Sequence, residues 1–137
     1  MAYYDIYVTA LMHHAGVIDF AGSQSRCALG ASGVTEAKSE GDGATPLGRF
    51  PLRRVWYRPD RWATPVCPLP IVEISQKSGW SDDIHDPDYN RPVVRPHGYG
   101  HEQLWRQDHL YDLFLELGYN DQPAVAGKGS AIFLHLE

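Results

Sequence analysis

Ten prolines and thirteen glycines are spread along this 137-residue chain and divide it into short segments. Proline ends or kinks a helix and glycine weakens one, so few stretches are long enough to form helices. The stretches between these breakers are rich in aromatic and β-branched residues, as in YYDIYVTAL at residues 3–11. The sequence therefore predicts a mainly β fold built from many short strands.

The length and composition predict a single domain over residues 1–137. Domains commonly contain about 100–200 residues, and 43% of this chain is hydrophobic, which is enough to form a core. Disordered chains are poor in such residues. We therefore expect one core and one functional site.

The pattern also places individual elements. We expect an opening hairpin, a third short strand and three later strands, at residues 3–11 with 17–20, 26–29, 50–57, 71–74 and 130–135. Residues 38–48 predict a structured loop, and residues 78–100 predict a long loop layer. Residues 101–106 predict a short helix, while the apolar spacing of residues 110–117 fits either a helix or a strand. One or two short helices are therefore expected beside the strands.

The charge balance limits the possible partners. Twelve basic residues against seventeen acidic ones give a net charge of −5, which argues against binding nucleic acid through overall charge. No apolar run approaches the roughly 18 residues of a membrane-spanning helix, and the first residues do not resemble a secretory signal. We expect neither nucleic-acid binding nor membrane insertion.

The sequence predicts no metal site and no other cofactor. Among seven histidines, His97 and His101 are four residues apart, but the glycines between them disfavour a helix that would align both rings. The aspartates of residues 82–88 lack the spacing of a calcium loop and indicate a solvated acidic loop. Neither Cys27 nor Cys67 has the electropositive surroundings expected for a nucleophile.

His135 is the candidate catalytic residue. It ends an apolar strand that follows the sequence GKGS at residues 127–130. A histidine at the end of a rigid strand can face a cleft and act as a general base. The alternative is a structural histidine that is hydrogen-bonded to the backbone.

Several segments, taken in order, resemble the L,D-transpeptidase (YkuD-like) catalytic domains of bacterial cell-wall metabolism. The segments that carry this resemblance are RCALG at 26–30, KSEGDGATPLG at 38–48, FPLRRVWYRPDR at 50–61, GWSDD at 79–83, YNRPV at 89–93, HEQLW at 101–105, GYND at 118–121 and GKGSAIFLH at 127–135. Together they cover nearly the whole chain.

The resemblance implies a β-sandwich or barrel-like domain that acts on peptidoglycan stem peptides. A cysteine would attack a peptide carbonyl, release a terminal D-alanine and pass the acyl group to an amine, with His135 as the general base. Six further residues match family motifs or adjoin the last strand and are predicted to line the peptide groove: Tyr89, Asn90, Glu102, Trp105, Gly129 and Ser130. Each of them also has a plausible structural role.

The sequence departs from the family pattern at the nucleophile. The family's cysteine lies in a Ser/Thr-x-Gly-Cys motif after the histidine, whereas this sequence ends at residue 137. Ser81 also stands where such relatives often carry a cysteine. We expect a catalytic domain that is incomplete at its C terminus and inactive as written. The alternative is a non-catalytic module that binds peptidoglycan peptides with the same fold.

Two further expectations follow from the resemblance and from the last strand. The family implies a location in the cell envelope, although the sequence shows no export signal. The apolar terminal strand at residues 131–136 would have an unpaired edge, and such an edge can pair with another chain. A homodimer through this exposed strand is therefore expected.

Overall fold

The computed structural model describes residues 5–136, and within that range it contains strands and no helix. The expectation of a mainly β fold is confirmed, but the expected short helices are absent from the described residues. Residues His101–Gln103 form a strand instead of the first turn of a helix. A six-residue helix gains little over the cost of its nucleation, so pairing with a neighbouring strand wins.

The chain divides into two compact units with a boundary after Gly48. Residues 1–48 are called the first unit and residues 49–137 the second unit, and each is described by itself. The interpretation of residues 1–137 as one domain stays a prediction.

The first unit contains a three-stranded antiparallel sheet and a short parallel pair. Its strands are β1 (Ile6–Met12), β2 (Ala15–Phe20), β3 (Ser23–Ala28), β4 (Val34–Thr35) and β5 (Thr45–Pro46). Strands β2 and β3 are joined by Ala21 and Gly22, both with positive φ, as in the tight turns that match strand twist. The predicted opening hairpin and third strand are confirmed, and residues 3 and 4 of the predicted first strand lie outside the described residues.

The loop that joins β4 to β5 is held by Asp42; it lies within the predicted structured loop at residues 38–48, although Thr45–Pro46 of that range forms β5. The Asp42 carboxylate accepts hydrogen bonds from Lys38 Nζ at 2.5 Å and from the backbone N–H groups of Ser39 and Ala44, each at 2.9 Å. The bond from Lys38, followed by the two backbone bonds, lowers the pKa of Asp42. The loop is therefore organised by polar contacts rather than by a core.

The second unit contains two sheets. Its strands are β6 (Leu52–Tyr57), β7 (Ile71–Glu73), β8 (Ser78–Ser81), β9 (Pro92–Val94), β10 (His101–Gln103), β11 (Leu113–Leu117) and β12 (Phe133–His135). One sheet has the order β12-β11-β6-β7, in which only the β6–β7 pair is parallel. The other is antiparallel with the order β10-β8-β9. The ambiguous residues 110–117 thus contain a strand.

Aromatic side chains fill the space between these two sheets. Trp56 and Phe114, from the four-stranded sheet, stack at 5.8 Å between ring centroids. Trp80, from the three-stranded sheet, meets Trp56 edge-on at 6.0 Å and Phe133 at 4.9 Å. Leu104 completes the cluster and is fully buried. Each such side chain contributes roughly 1.5–3 kcal/mol by its burial, so this layer holds the two sheets together.

Candidate active site

His135 ends β12, the outer strand of the four-stranded sheet, and its side chain is exposed. In the pairing of β12 with β11, His135 lies opposite Phe114. Side chains two residues apart share one face of a strand, so Phe133 and His135 project to the same side. The imidazole therefore lies at the rim of the aromatic core. The neighbouring strand β11 alternates half-buried and buried residues.

The backbone fixes the tautomer of His135. Its Nδ1 atom lies 2.6 Å from the carbonyl oxygen of Leu136. A carbonyl oxygen can only accept, so Nδ1 carries the proton in this hydrogen bond. In the neutral ring the lone pair then stands on Nε2, which is the arrangement that a general base requires.

Tyr111 connects His135 to the opposite sheet. Its ring lies edge-on to the imidazole, with 5.5 Å between centroids and 80° between planes, and it also meets Phe133 at 5.8 Å. The Tyr111 hydroxyl donates to Glu102 Oε2 at 2.5 Å. Burial, and then the negative charge of Glu102 and this hydrogen bond, raise the pKa of Tyr111. The hydroxyl therefore stays protonated and remains a donor.

Sequence reasoning missed Tyr111 because it lies in a stretch whose periodicity was ambiguous. A signal was nevertheless present. A tyrosine among leucines and phenylalanines must find a partner for its hydroxyl when its ring is buried. That partner, Glu102, is nine residues away in β10, and no local pattern identifies it.

Asn90 uses its side chain entirely within the protein. It is buried, with a φ of 58°. Its Oδ1 accepts from Trp80 Nε1 at 2.9 Å and from the Ala131 N–H at 3.0 Å. Its Nδ2 donates to the carbonyls of Tyr119 at 3.0 Å and Asn120 at 2.8 Å. Asn90 thereby ties the segment that leads into β12 to the centre of the second unit.

The other predicted groove residues lie in two places. Tyr89 is buried, and its hydroxyl accepts from the backbone N–H of Gly129 at 3.0 Å, beside the buried Ser130. Trp105 is half-buried beneath Arg58, whose guanidinium carbon is 3.5 Å from the ring centroid. Tyr89, Asn90 and the 129–131 segment are thus brought together, and Glu102 reaches His135 through Tyr111. Contact of these six residues with substrate stays a prediction.

The two cysteines are free thiols and belong to different units. Cys27 is a half-buried residue of the first unit, where burial raises its pKa. Cys67 is exposed in the second unit, and its Sγ lies 3.8 Å from the carbonyl oxygen of Leu69. The hydrogen bond of His135 goes to Leu136. Within the described part of the second unit, therefore, no thiol is paired with the imidazole.

A second polar cluster surrounds Asp86, and for this residue the expectation of a solvated acidic loop was wrong, whereas Asp82 and Asp83 are half-buried and Asp88 is exposed. Asp86 is buried, and its carboxylate accepts from Ser81 Oγ at 2.6 Å, His97 Nε2 at 2.5 Å and the Asp88 N–H at 2.8 Å. Burial alone would raise the pKa of Asp86, but these hydrogen bonds lower it below its ordinary value. The His97 and His101 rings lie 5.6 Å apart.

The described residues contain neither a cluster of metal ligands nor a helix that could span a membrane. Across residues 5–136, no three or more histidine, cysteine, aspartate or glutamate side chains converge in a way that could hold a metal ion. Over the same range, the fold has no helix with the length and apolar character needed to cross a bilayer.

The described residues form an all-β fold in which a histidine, His135, ends an outer strand. A family model of the L,D-transpeptidase catalytic domain (YkuD) matches residues 14–136. The chain belongs to this family, which confirms the resemblance seen in the motifs. No curated protein sequence and no solved structure gives a significant match to the chain.

Proposed function

We propose that this domain provides the general base and the peptide groove of an L,D-transpeptidase-type cysteine acyltransferase that acts on peptidoglycan stem peptides. The observation that carries the proposal is the hydrogen bond from His135 Nδ1 to the Leu136 carbonyl. This bond leaves Nε2 as the proton acceptor, which is the property that activation of a thiol demands.

The proposed reaction proceeds in two acyl-transfer steps. His135 Nε2 takes the thiol proton, and the sulfur attacks the carbonyl carbon that precedes the terminal D-alanine. The C–N bond breaks, the departing amine takes the proton from His135, and a thioester remains. An acceptor amine then attacks the thioester and gives a proton to His135, from which the departing thiolate recovers it.

The groove proposed for the stem peptide lies around the residues that the family motifs indicate. Glu102 and Trp105 are only half-buried, so their remaining surface is open to a ligand. Tyr89, Asn90 and Ser130 are buried, and we propose that they act by shaping the 129–131 backbone.

We further propose that the 137 residues alone do not turn over substrate. The sequence contains two cysteines. The Sγ atom of Cys67 lies 3.8 Å from the Leu69 carbonyl oxygen, and burial raises the pKa of Cys27, which disfavours its thiolate form. The same observation favours the second candidate function, a module that binds peptidoglycan peptides without cleaving them.

Release of D-alanine from a disaccharide-tetrapeptide, followed by mass spectrometry, tests these proposals. We expect no D-alanine release from the 137-residue chain. Where the gene encodes a longer product that contains the cysteine motif, we expect turnover from that product. In that product, His135→Ala should lower kcat by about 10²–10⁴-fold, as loss of a general base does. His85→Ala, which removes an exposed histidine of the same unit, is the matched control.

Three outcomes decide between the two functions. Turnover that depends on His135 supports the acyltransferase. Binding of the tetrapeptide by the complete product without any D-alanine release supports the binding module. Turnover that survives His135→Ala contradicts the proposed base.

A further inference from the structure

We propose that Tyr111 is a positioning residue for His135 and that Glu102 acts on His135 through Tyr111. This inference rests on the proposed function only in treating His135 as the base. Its structural content concerns how the imidazole is held, and that can be measured without substrate.

The pairing of β10 with β8 places the Glu102 side chain. In this pairing, Glu102 lies opposite Trp80, and directly opposed residues project to the same face of a sheet. Trp80 contacts Phe133 on that face. Glu102 therefore points toward the aromatic layer that also carries His135, and not toward the opposite face.

Tyr111 is anchored both at its hydroxyl and around its ring. Its hydroxyl is bound to Glu102, and its ring is packed on Phe114 at 5.3 Å and on Phe133 at 5.8 Å. The Arg106 guanidinium carbon lies 5.4 Å from the same ring centroid. Contacts on several sides and a short charge-assisted hydrogen bond leave the ring little freedom.

The anchored ring of Tyr111 contacts His135. The imidazole is exposed, and it contacts the Leu136 carbonyl and the Tyr111 ring. The backbone bond sets which nitrogen carries the proton only while the ring keeps its orientation. Tyr111 is the side chain that restrains rotation about the Cβ–Cγ bond, because its ring stands edge-on at 80° to the imidazole.

The consequence can be read from the tautomer of His135. An unrestrained histidine in water favours the tautomer with the proton on Nε2, which is the opposite of the one that the Leu136 carbonyl selects. When Tyr111 is anchored, Nδ1 holds the proton. When the anchor is lost, the ring rotates and the proton returns to the atom that should be basic.

Nitrogen-15 NMR of the imidazole in the 137-residue chain, above the pH at which histidines titrate, is the test. We expect His135 to be mainly in the Nδ1–H form. Tyr111→Leu should shift the population toward the Nε2–H form, and Tyr111→Phe, which keeps the ring but loses the hydroxyl, should do so to a smaller extent. Glu102→Ala should match Tyr111→Phe.

Two variants separate positioning from general damage to the fold. Glu102→Gln still offers an oxygen to the Tyr111 hydroxyl, so His135 should keep the Nδ1–H form that Glu102→Ala loses. Tyr119→Phe removes a hydroxyl that donates to the Lys128 carbonyl at 2.6 Å and should leave His135 unchanged. Backbone spectra that match those of the unmodified chain establish that each variant is folded.

The proposal is overturned if Tyr111→Leu and Glu102→Ala, both folded, leave the Nδ1–H population of His135 unchanged. Activity adds an independent readout in the complete gene product. Tyr111→Phe should lower kcat with little change in KM, by up to about 100-fold if the base is displaced. A failure to release D-alanine would reject the acyltransferase but leave the NMR result intact.

Discussion

The two units of this chain use their strands in different ways. In the first unit, large apolar side chains of the sheet remain in solvent: Tyr7, Leu11 and Met12 are 61%, 66% and 68% exposed. In the second unit, aromatic rings stack within the four-stranded sheet and meet Trp80 of the other sheet edge-on. Every buried hydrophobic residue that the structure records within residues 5–136 lies in the second unit.

This difference shows that strands can pair into a sheet without forming a hydrophobic core. Backbone hydrogen bonds satisfy the polar groups of a sheet, but their net contribution is modest. A core needs side chains from more than one sheet to exclude water together. Among the described residues, only those of the second unit form such a core, and the strand that carries the candidate base packs against it.

The largest expected effect is on the aromatic layer. Phe114→Ala removes a side chain that is 1% exposed and stacks on Trp56 and Phe133. We expect the free energy of unfolding to fall by about 3–5 kcal/mol. Urea denaturation followed by tryptophan fluorescence measures this, since all four tryptophans belong to the second unit. A loss below about 1.5 kcal/mol would show that the layer repacks around the cavity.

The next effect concerns Asn90. Asn90→Ala deletes four hydrogen bonds, and at about 1 kcal/mol each we expect a loss of roughly 2–4 kcal/mol. Asn90→Gly removes the same bonds but tolerates the φ of 58°, so it should be more stable than the alanine variant by about 1 kcal/mol. Equal stabilities would mean that the backbone conformation carries no strain.

A smaller effect is expected from the acid titration of Asp86. Its pKa is lowered in the folded state, so its contribution is complete above the unfolded pKa of about 3.9 and is lost as the pH falls through the folded value. One such group changes the slope of stability against pH by at most about 1.4 kcal/mol per unit.

Denaturation series between pH 6 and the acid limit measure that slope. Asp86→Asn should flatten it below about pH 4, because no carboxylate remains to be protonated at this site. Ser81→Ala, which removes one of the donors to Asp86, should flatten it less. An unchanged slope in Asp86→Asn would show that other carboxylates account for the acid sensitivity.

The smallest effect is expected in the first unit. Leu11→Ala and Met12→Ala replace exposed side chains, and we expect each to change stability by no more than about 0.5 kcal/mol. Hydrogen exchange of the backbone amides in β1–β3 measures this, because the first unit lacks a tryptophan. A loss above about 1 kcal/mol would mean that these side chains pack against something in solution.

Much of the strand content follows from local pattern. The alternating stretches at residues 17–20, 50–57 and 71–74 became strands β2, β6 and β7, because each has a face to bury or a neighbour to pair with. Three short strands were missed, since β8 and β9 lie in the predicted loop layer and β10 lies in the predicted short helix. They are only three or four residues long, carry glycine, serine and histidine, and depend on pairing with each other.

The candidate site was predictable only in part. His135 could be located because it ends an apolar stretch, a feature of the sequence itself. Its contact with Tyr111 and the bond from Tyr111 to Glu102 depend on two sheets packing together. The burial of Asp86 likewise depends on Ser81 and His97 from other segments. Long-range packing of this kind leaves no periodic trace in the sequence.

The pairing of β12 with β11 has one more consequence. Only three residue pairs define their alignment, from Phe114–His135 to Glu116–Phe133. A slip of β12 by one position would keep most of the backbone ladder but turn each side chain to the reverse side. The imidazole would then point away from Tyr111 and Phe133 would leave the aromatic layer, so the packing of Phe133 against Trp80 and Phe114 also holds His135 on its side of the sheet.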